Sequence, residues 1–189
     1  MNRKHFKTVF KDTIPVLTGY LFLGIGFGIL LKEKTDYGVL WSMGMAVFML
    51  AGSGQYLAVS LMADHASIIS AAIATFLINA RHIFYGISLI EPYKGATKKP
   101  YMIFALTDET YSLVSQGERG LGYCFLVSLF DHIWWVSGTV LGSVAGSLIP
   151  INYEGIEFVL TALFVTIFVE QWLSTKNHIP ALVGLGGTA

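Results

Sequence analysis

Apolar residues along this chain gather into long runs; they are not spread as stripes on otherwise polar helices. Six runs stand out, at about 14–31, 38–63, 66–90, 100–115, 122–149 and 155–174, and a seventh opens at Pro180 and continues to Ala189. A helix crossing a bilayer needs roughly 20 apolar residues. Inside hydrocarbon every backbone N–H and C=O must find its partner within the protein, which makes each run a helix. The pattern predicts an all-α, polytopic membrane helix bundle with about 6–7 transmembrane segments, forming one integral membrane domain over residues 1–189. The seventh run is half a span, so the last helix is expected to be incomplete in this chain or supplied separately.

Two runs are interrupted. Gly52-Ser53-Gly54-Gln55 breaks the second near its middle, and the fourth is short, with Thr107-Asp108-Glu109-Thr110 at its centre. Broken helices at membrane depth are tolerated only where they are buried in protein or line a cavity, and in secondary transporters they form the substrate and ion sites. Aligning residues 53–60 with 108–115 matches Tyr56 to Tyr111, Val59 to Val114 and Ser60 to Ser115. An inverted repeat of halves 14–90 and 100–189 is therefore expected. Its two breaks should face one cavity lined by Asn79 and His82.

Composition agrees with the pattern. Of the 189 residues 54% are hydrophobic and 13% charged, against roughly 25% charged in a soluble domain. Formal net charge is zero, so there is no basic field for nucleic acid and no acidic tail. Cys124, the one cysteine, lies in an apolar run, which excludes a disulfide framework or zinc site within the chain; no cofactor or metal is expected. Arg3, Lys4, Lys7 and Lys11 precede the first run. That run is long for a signal peptide and no A-x-A cleavage site follows it, so it is expected to be an uncleaved first helix with Pro15 in its first turn. The basic start places the N-terminus in the cytoplasm. Lys94, Lys98 and Lys99 would then fall outside after three spans, a conflict that a re-entrant helix pair would remove.

Several polar groups lie at membrane depth. On one continuous helix Thr75, Asn79, His82 and Gly86 fall within about 60° of one another and form a polar stripe facing the bundle interior. Arg81 points away from Asn79, toward Tyr85 and Ser88. A central arginine costs roughly 2.5–3.5 kcal/mol on insertion and is normally paired, so Arg81 is either a functional group or a structural partner of Asp108 or Glu109. Those two acids point about 100° apart on a regular helix and cannot chelate one ion together. Thr107 followed by two acids is also an ordinary helix start. Asp131-His132 lies in the fifth run beside Trp134-Trp135, a pair suited to an interface anchor or a cavity wall. Gly138, Gly142 and Gly146 form a small-residue face with room for a close helix, expected to be a partner's. Gly24, Gly26 and Gly28 suit packing, and Glu170 suits an interfacial carboxylate. Substrate-binding candidates are Ser53, Gln55, Asn79, Asp108 and Glu109; coupling or gating candidates are Arg81, His82 and Asp131.

Ala51-Gly52-Ser53-Gly54 is similar to the G-x-S-G nucleophile motif of rhomboid intramembrane proteases, with His132 as the base. However, Ala51 stands where the first glycine belongs, and Trp135 where A-H-x-x-G wants glycine. A helix break accounts better for the segment.

Three motifs in order resemble the AzlC family: Phe48-Met-Leu-Ala-Gly-Ser-Gly-Gln55, Leu77-Ile-Asn-Ala-Arg-His-Ile-Phe-Tyr-Gly86 and Leu106-Thr-Asp-Glu-Thr-Tyr111. The resemblance runs from the opening 14–28 stretch to the sixth run. It departs at Gly54, where the family has alanine, and in ending before the family's last helix. It implies the large permease subunit of a bacterial branched-chain amino acid exporter, multi-pass in the inner membrane, working with a small membrane partner of the AzlD type. A zwitterionic substrate would then meet helix N-termini and Gln55 at its carboxylate, and Asp108 or Glu109 at its ammonium. No nucleotide-binding P-loop is present, so the expected function is secondary transport, not enzyme catalysis, with protons as the candidate coupling ion. A passive channel is the alternative, although a channel favours a ring of one group type. An intramembrane serine hydrolase is the weaker one.

Overall fold

A computed structural model describes residues 3–116 and 119–148, with scattered positions between 155 and 186. The chain forms two compact units, Met1–Tyr153 and Glu154–Ala189. No strand occurs among the described residues. The first unit contains α1 (Arg3–Thr35), α2 (Val39–Met49), α3 (Gly52–Ala63), α4 (Ile68–Asn79), α5 (Arg81–Ser88), α6 (Lys99–Phe104), α7 (Asp108–Val114) and α8 (Leu121–Leu148). In the second unit the Trp172 and His178 rings stack at 4.1 Å. The sixth and seventh predicted segments fall largely outside the described residues, and Glu170 and Pro180 lie outside them.

Among the described residues two helices are long and apolar enough to cross a membrane, over Phe6–Thr35 and Leu121–Leu148; the pair α4–α5, bent by 41°, would make a third span if it crosses as one. At 1.5 Å per residue both long helices exceed the ~30 Å hydrocarbon core, whereas α2 and α3 each reach only about half of it. The predicted second and fourth spans are thus divided, as their polar centres imply. The second divides at Leu50-Ala51, immediately ahead of the Gly-Ser-Gly-Gln stretch, which instead opens α3.

The structure corrects the sequence pattern in two places. Pro15 does not sit in a first turn: α1 begins at Arg3 and carries Pro15 in its interior. Proline leaves a carbonyl one turn back without its donor, and near this point the Thr13 hydroxyl donates to the Phe10 carbonyl at 3.1 Å. The third segment is likewise not one helix, so among the described residues three segments are broken where two were expected. At its bend the Asn79 amide donates to the Thr75 carbonyl at 2.9 Å, and His82 Nδ1 donates to the Asn79 carbonyl at 3.1 Å. Side chains that capture backbone carbonyls in this way compete with the helix ladder and bend it.

The frame of the first unit is the α1–α8 pair, joined glycine to backbone. A Cβ on Gly24 would come 2.8 Å from the Thr139 backbone nitrogen, and one on Gly138 would come 2.5 Å from the Tyr20 carbonyl oxygen. Gly28 meets Thr139 and Ser143 as closely, and Gly142 meets Ile25. The small-residue face of α8 is therefore filled by α1 of the same chain and is not held open for a partner. In an apolar solvent such close backbone approach, not the hydrophobic effect, holds helices together. Gly142→Ala is expected to force α1 and α8 apart and to destabilise the purified protein by about 1–3 kcal/mol, as overpacking does. Gly19→Ala, whose Cβ meets nothing within 4 Å, should be neutral or slightly stabilising, as helix propensity favours alanine by about 1 kcal/mol. Thermal unfolding in detergent compares the two.

Candidate functional site

Three broken segments meet at Arg81, the first residue of α5. Its Nη2 donates to Ser53 Oγ at 2.9 Å, and its Nη1 pairs with Asp108 Oδ2 at 2.5 Å. Ser53 lies in the first turn of α3 and Asp108 opens α7, so one guanidinium ties together the chain just beyond all three breaks. The forked, planar donor set of arginine suits this bridging, which the single point charge of lysine cannot reproduce.

Each break is built differently. At the first, Leu50 adopts φ 20° and ψ 51°, Ala51 adopts φ −140° and ψ 89°, and no side chain caps α3. Gly52 lets the Trp135 ring approach, since a Cβ there would lie 3.1 Å from the ring. Trp135 Nε1 donates to Gln55 Oε1 at 2.9 Å. Because indole nitrogen only donates, this bond fixes the Gln55 amide with its oxygen toward Trp135. The Gln55 Nε2 is left buried without a hydrogen-bond partner. At the third break Thr107 Oγ1 accepts from the Thr110 backbone N–H at 3.2 Å, an ordinary N-cap at the start of α7.

The acids diverge as their helical spacing predicts. Asp108 turns to Arg81, with its Oδ1 buried and unpartnered. Glu109 turns to α1, where Tyr20 Oη donates to its Oε2 at 2.8 Å and lies 2.7 Å from Thr107 Oγ1. Asp131 on α8 is 1% exposed and accepts from Thr110 Oγ1 at 2.7 Å through Oδ2, while its Oδ1 has no partner. Trp135 packs edge-on to Tyr20 at 5.3 Å and beside Phe27. It is an interior hub, not an interface anchor.

Of the sequence-derived candidates, Ser53, Arg81 and Asp108 are in direct contact. Gln55 and Glu109 lie in the first turns of the same two helices. Asn79 bonds its own helix, but its Nδ2 would be 3.6 Å from a Cβ on Gly54, so it sits beside the first break. His82 faces elsewhere, into a cavity of about 280 Å³ that it lines with Gly86, Leu89, Ile90, Tyr93, Lys99, Ile103 and Leu106. The expected stripe from Thr75 to Gly86 is divided by the bend. Ser53 and His132 make no nucleophile–base pair: Ser53 bonds Arg81, and His132 Nδ1 bonds the Tyr101 hydroxyl at 3.0 Å. Tyr20, Thr110 and Trp135 were not among the candidates. Tyr20 had one signal, a hydroxyl that with Thr18 is one of two in the apolar first run.

The family model described as AzlC protein matches residues 15–149. The branched-chain amino acid transport protein AzlC of Bacillus subtilis is 38% identical over 188 residues, which is 96% of this chain and 73% of that protein. An uncharacterized membrane protein of Haemophilus influenzae is 40% identical over 95% of this chain and 76% of its own length. Inner membrane protein YgaZ of Escherichia coli is 27% identical over 92% and 77%. No solved structure matches the chain.

The Arg81–Asp108 contact is expected to be energetically coupled. Both side chains are about one third exposed, so solvent screening keeps the coupling to about 1–2 kcal/mol. In a double-mutant cycle of unfolding midpoints, Arg81→Gln with Asp108→Asn should therefore be more stable than the sum of the two single losses predicts. Strict additivity would mean that the bridge ties nothing together.

Proposed function

Because the chain belongs to the AzlC family, we propose that it is a secondary transporter exporting branched-chain amino acids across the bacterial cell membrane. In this reading it is the large subunit of a two-component, proton-coupled exporter, completed by a small membrane partner of the AzlD type. The relatives carry transport and membrane names, and the described helices are those of a membrane protein.

The observation that carries the proposal is two unpartnered polar atoms, one in the first turn of each helix that follows the first and third breaks. Gln55 Nε2 is a buried donor with no hydrogen-bond acceptor, and Asp108 Oδ1 is a buried acceptor that no donor reaches at hydrogen-bond geometry, although the Tyr85 hydroxyl lies near enough to interact with the same carboxylate. A zwitterionic amino acid offers the complement of each: a carboxylate for the amide and the uncapped first turn of α3, and an ammonium for the carboxylate oxygen. Ser53 and Asn79 border the same break. Of the two acids, Asp108 takes the ammonium in this scheme, because Glu109 is already engaged by Tyr20. Arg81 holds the three segments in register. Apolar side chains around the break, Met49 among them, supply the environment for a branched aliphatic group. A passive channel would pass the same solutes without saturating.

Counterflow of labelled leucine into leucine-loaded vesicles, with and without the small partner, tests the proposal. Saturable counterflow is the expected result, and flux linear in concentration would replace the transporter by a channel. Gln55→Glu keeps the acceptor for Trp135 but opposes the substrate carboxylate with a like charge. Its KM should rise about tenfold or more, the loss of one charge-assisted hydrogen bond, with membrane insertion unchanged.

A further inference from the structure

Glu109 and Asp131 lie at the two ends of one unbroken chain of oxygen contacts. From Glu109 Oε2 it runs 2.8 Å to Tyr20 Oη, 2.7 Å to Thr107 Oγ1, 3.1 Å to Thr110 Oγ1 and 2.7 Å to Asp131 Oδ2. Each contact is within hydrogen-bond distance, so each requires one hydrogen between its oxygens. Three hydroxyls supply three hydrogens to four contacts. With both carboxyls ionised, two oxygens would therefore face each other with nothing between them. One additional proton closes the chain, and a second would leave one hydrogen with no acceptor along it.

A separate observation points the same way. Asp131 is buried, its Oδ1 has no hydrogen-bond partner, and among the described residues neither it nor Glu109 forms an ion pair. A buried carboxylate without a cation and with an oxygen unpartnered carries a large desolvation penalty; the neutral acid does not. The charged and titratable neighbours do not change this. Asp108, beside Glu109 on α7, is paired with Arg81 of α5, and His132, next to Asp131 on α8, directs Nδ1 to Tyr101 of α6. On α1 the group facing the acids is Tyr20 itself.

We propose that Glu109 and Asp131 hold a single proton between them, passed along Tyr20, Thr107 and Thr110, and that this shared proton is the ion coupled to transport. In one state the Glu109 carboxyl donates to Tyr20, Tyr20 to Thr107, Thr107 to Thr110, and Thr110 to ionised Asp131. In the other, each of the four hydrogens has moved to the next oxygen: the Glu109 O–H bond has broken, an Asp131 O–H bond has formed, and the direction of donation is reversed. The net charge of the pair is −1 in both states, so the exchange moves a proton between a partly buried carboxyl and a fully buried one without burying a further charge. The coupling part rests on the transporter reading above; the shared proton does not.

The two parts are tested separately. Infrared spectroscopy of the full chain in lipid at neutral pH should show the C=O stretch of a neutral carboxyl in the wild type. That band should vanish in Glu109→Gln and, independently, in Asp131→Asn, because either amide supplies the fourth hydrogen and leaves the remaining acid ionised. Absence of the band in the wild type, or its survival in both variants, overturns the shared proton. For coupling, leucine flux driven by a pH gradient should fall about tenfold or more in Thr110→Val, on the scale of losing a positioned proton-transfer group. Counterflow at equal pH should persist, and Thr110→Ser should restore the gradient-driven flux. Undiminished gradient-driven flux in Thr110→Val overturns the coupling role. A wild type showing no leucine counterflow, with the infrared result intact, would refute the substrate and leave the proton site standing.

Discussion

Hydrocarbon offers no hydrogen-bond partner, so every helix that stops inside the membrane must have its ends satisfied by other parts of the chain. Much of the first unit answers that demand. The bend after α4 is stabilised by Asn79 and His82 turned onto carbonyls of their own segment, and the start of α7 is capped by Thr107. The start of α3 has no side-chain cap, and there Arg81 reaches Ser53 while its other nitrogen neutralises Asp108. One cation thus offsets one acid and fixes three chain interruptions relative to each other. The breaks can exist at depth because they converge, and their convergence concentrates polar groups that would otherwise be expelled.

Against these broken segments stands the α1–α8 pair. Gly24, Gly28, Gly138 and Gly142 bring the two backbones into direct contact, and Tyr56 on α3 donates to the Leu23 carbonyl of α1 at 2.7 Å, anchoring α3 on the pair. Trp135 makes the second attachment through Gln55. The same pair presents Tyr20 and Asp131 to α7. Small residues thus serve packing on one face of α8, while the first half of the same helix carries the polar groups.

The helical class and the divided second and fourth segments were legible because apolar run length and polar interruption both register directly along a chain. The bend at Ala80 was not. Nothing in Ile78-Asn-Ala-Arg81 breaks a helix by itself, and the bend depends on side chains choosing backbone carbonyls as partners, a choice made by the surroundings. Pairing of Arg81 with an acid was foreseeable from the cost of a lone charge, and Asp108 over Glu109 follows from which helix faces α5. The destination of the α8 glycine face was misjudged because a small-residue stripe specifies a close neighbour without naming it, and α1 carries the complementary glycines at 24 and 28. Tyr20 and Thr110 were passed over for a related reason: a hydroxyl in a membrane helix most often bonds its own preceding turn, and only tertiary structure reveals when it does not.

The hydrogen-bond chain crosses a mechanical boundary. Tyr20 and Asp131 belong to the long paired helices, whereas Thr107, Glu109 and Thr110 belong to the short segment that begins at the third break. The chain passes from α7 to the frame at Tyr20 and at Asp131, through contacts of 2.7–2.8 Å. Hydrogen bonds weaken steeply once stretched by a few tenths of an ångström beyond their ordinary range. A displacement of α7 against α1 and α8 by about 1 Å would therefore open the chain at both crossings, leaving the proton on whichever carboxyl held it. Asp108, next to Glu109 on the same short helix and tied through Arg81 to the first turn of α3, would move with that displacement. If substrate engages Gln55 and Asp108 as proposed, its binding and the proposed proton transfer would be linked through the position of one seven-residue helix. Under that proposal, coupling would not require substrate and proton to share a residue.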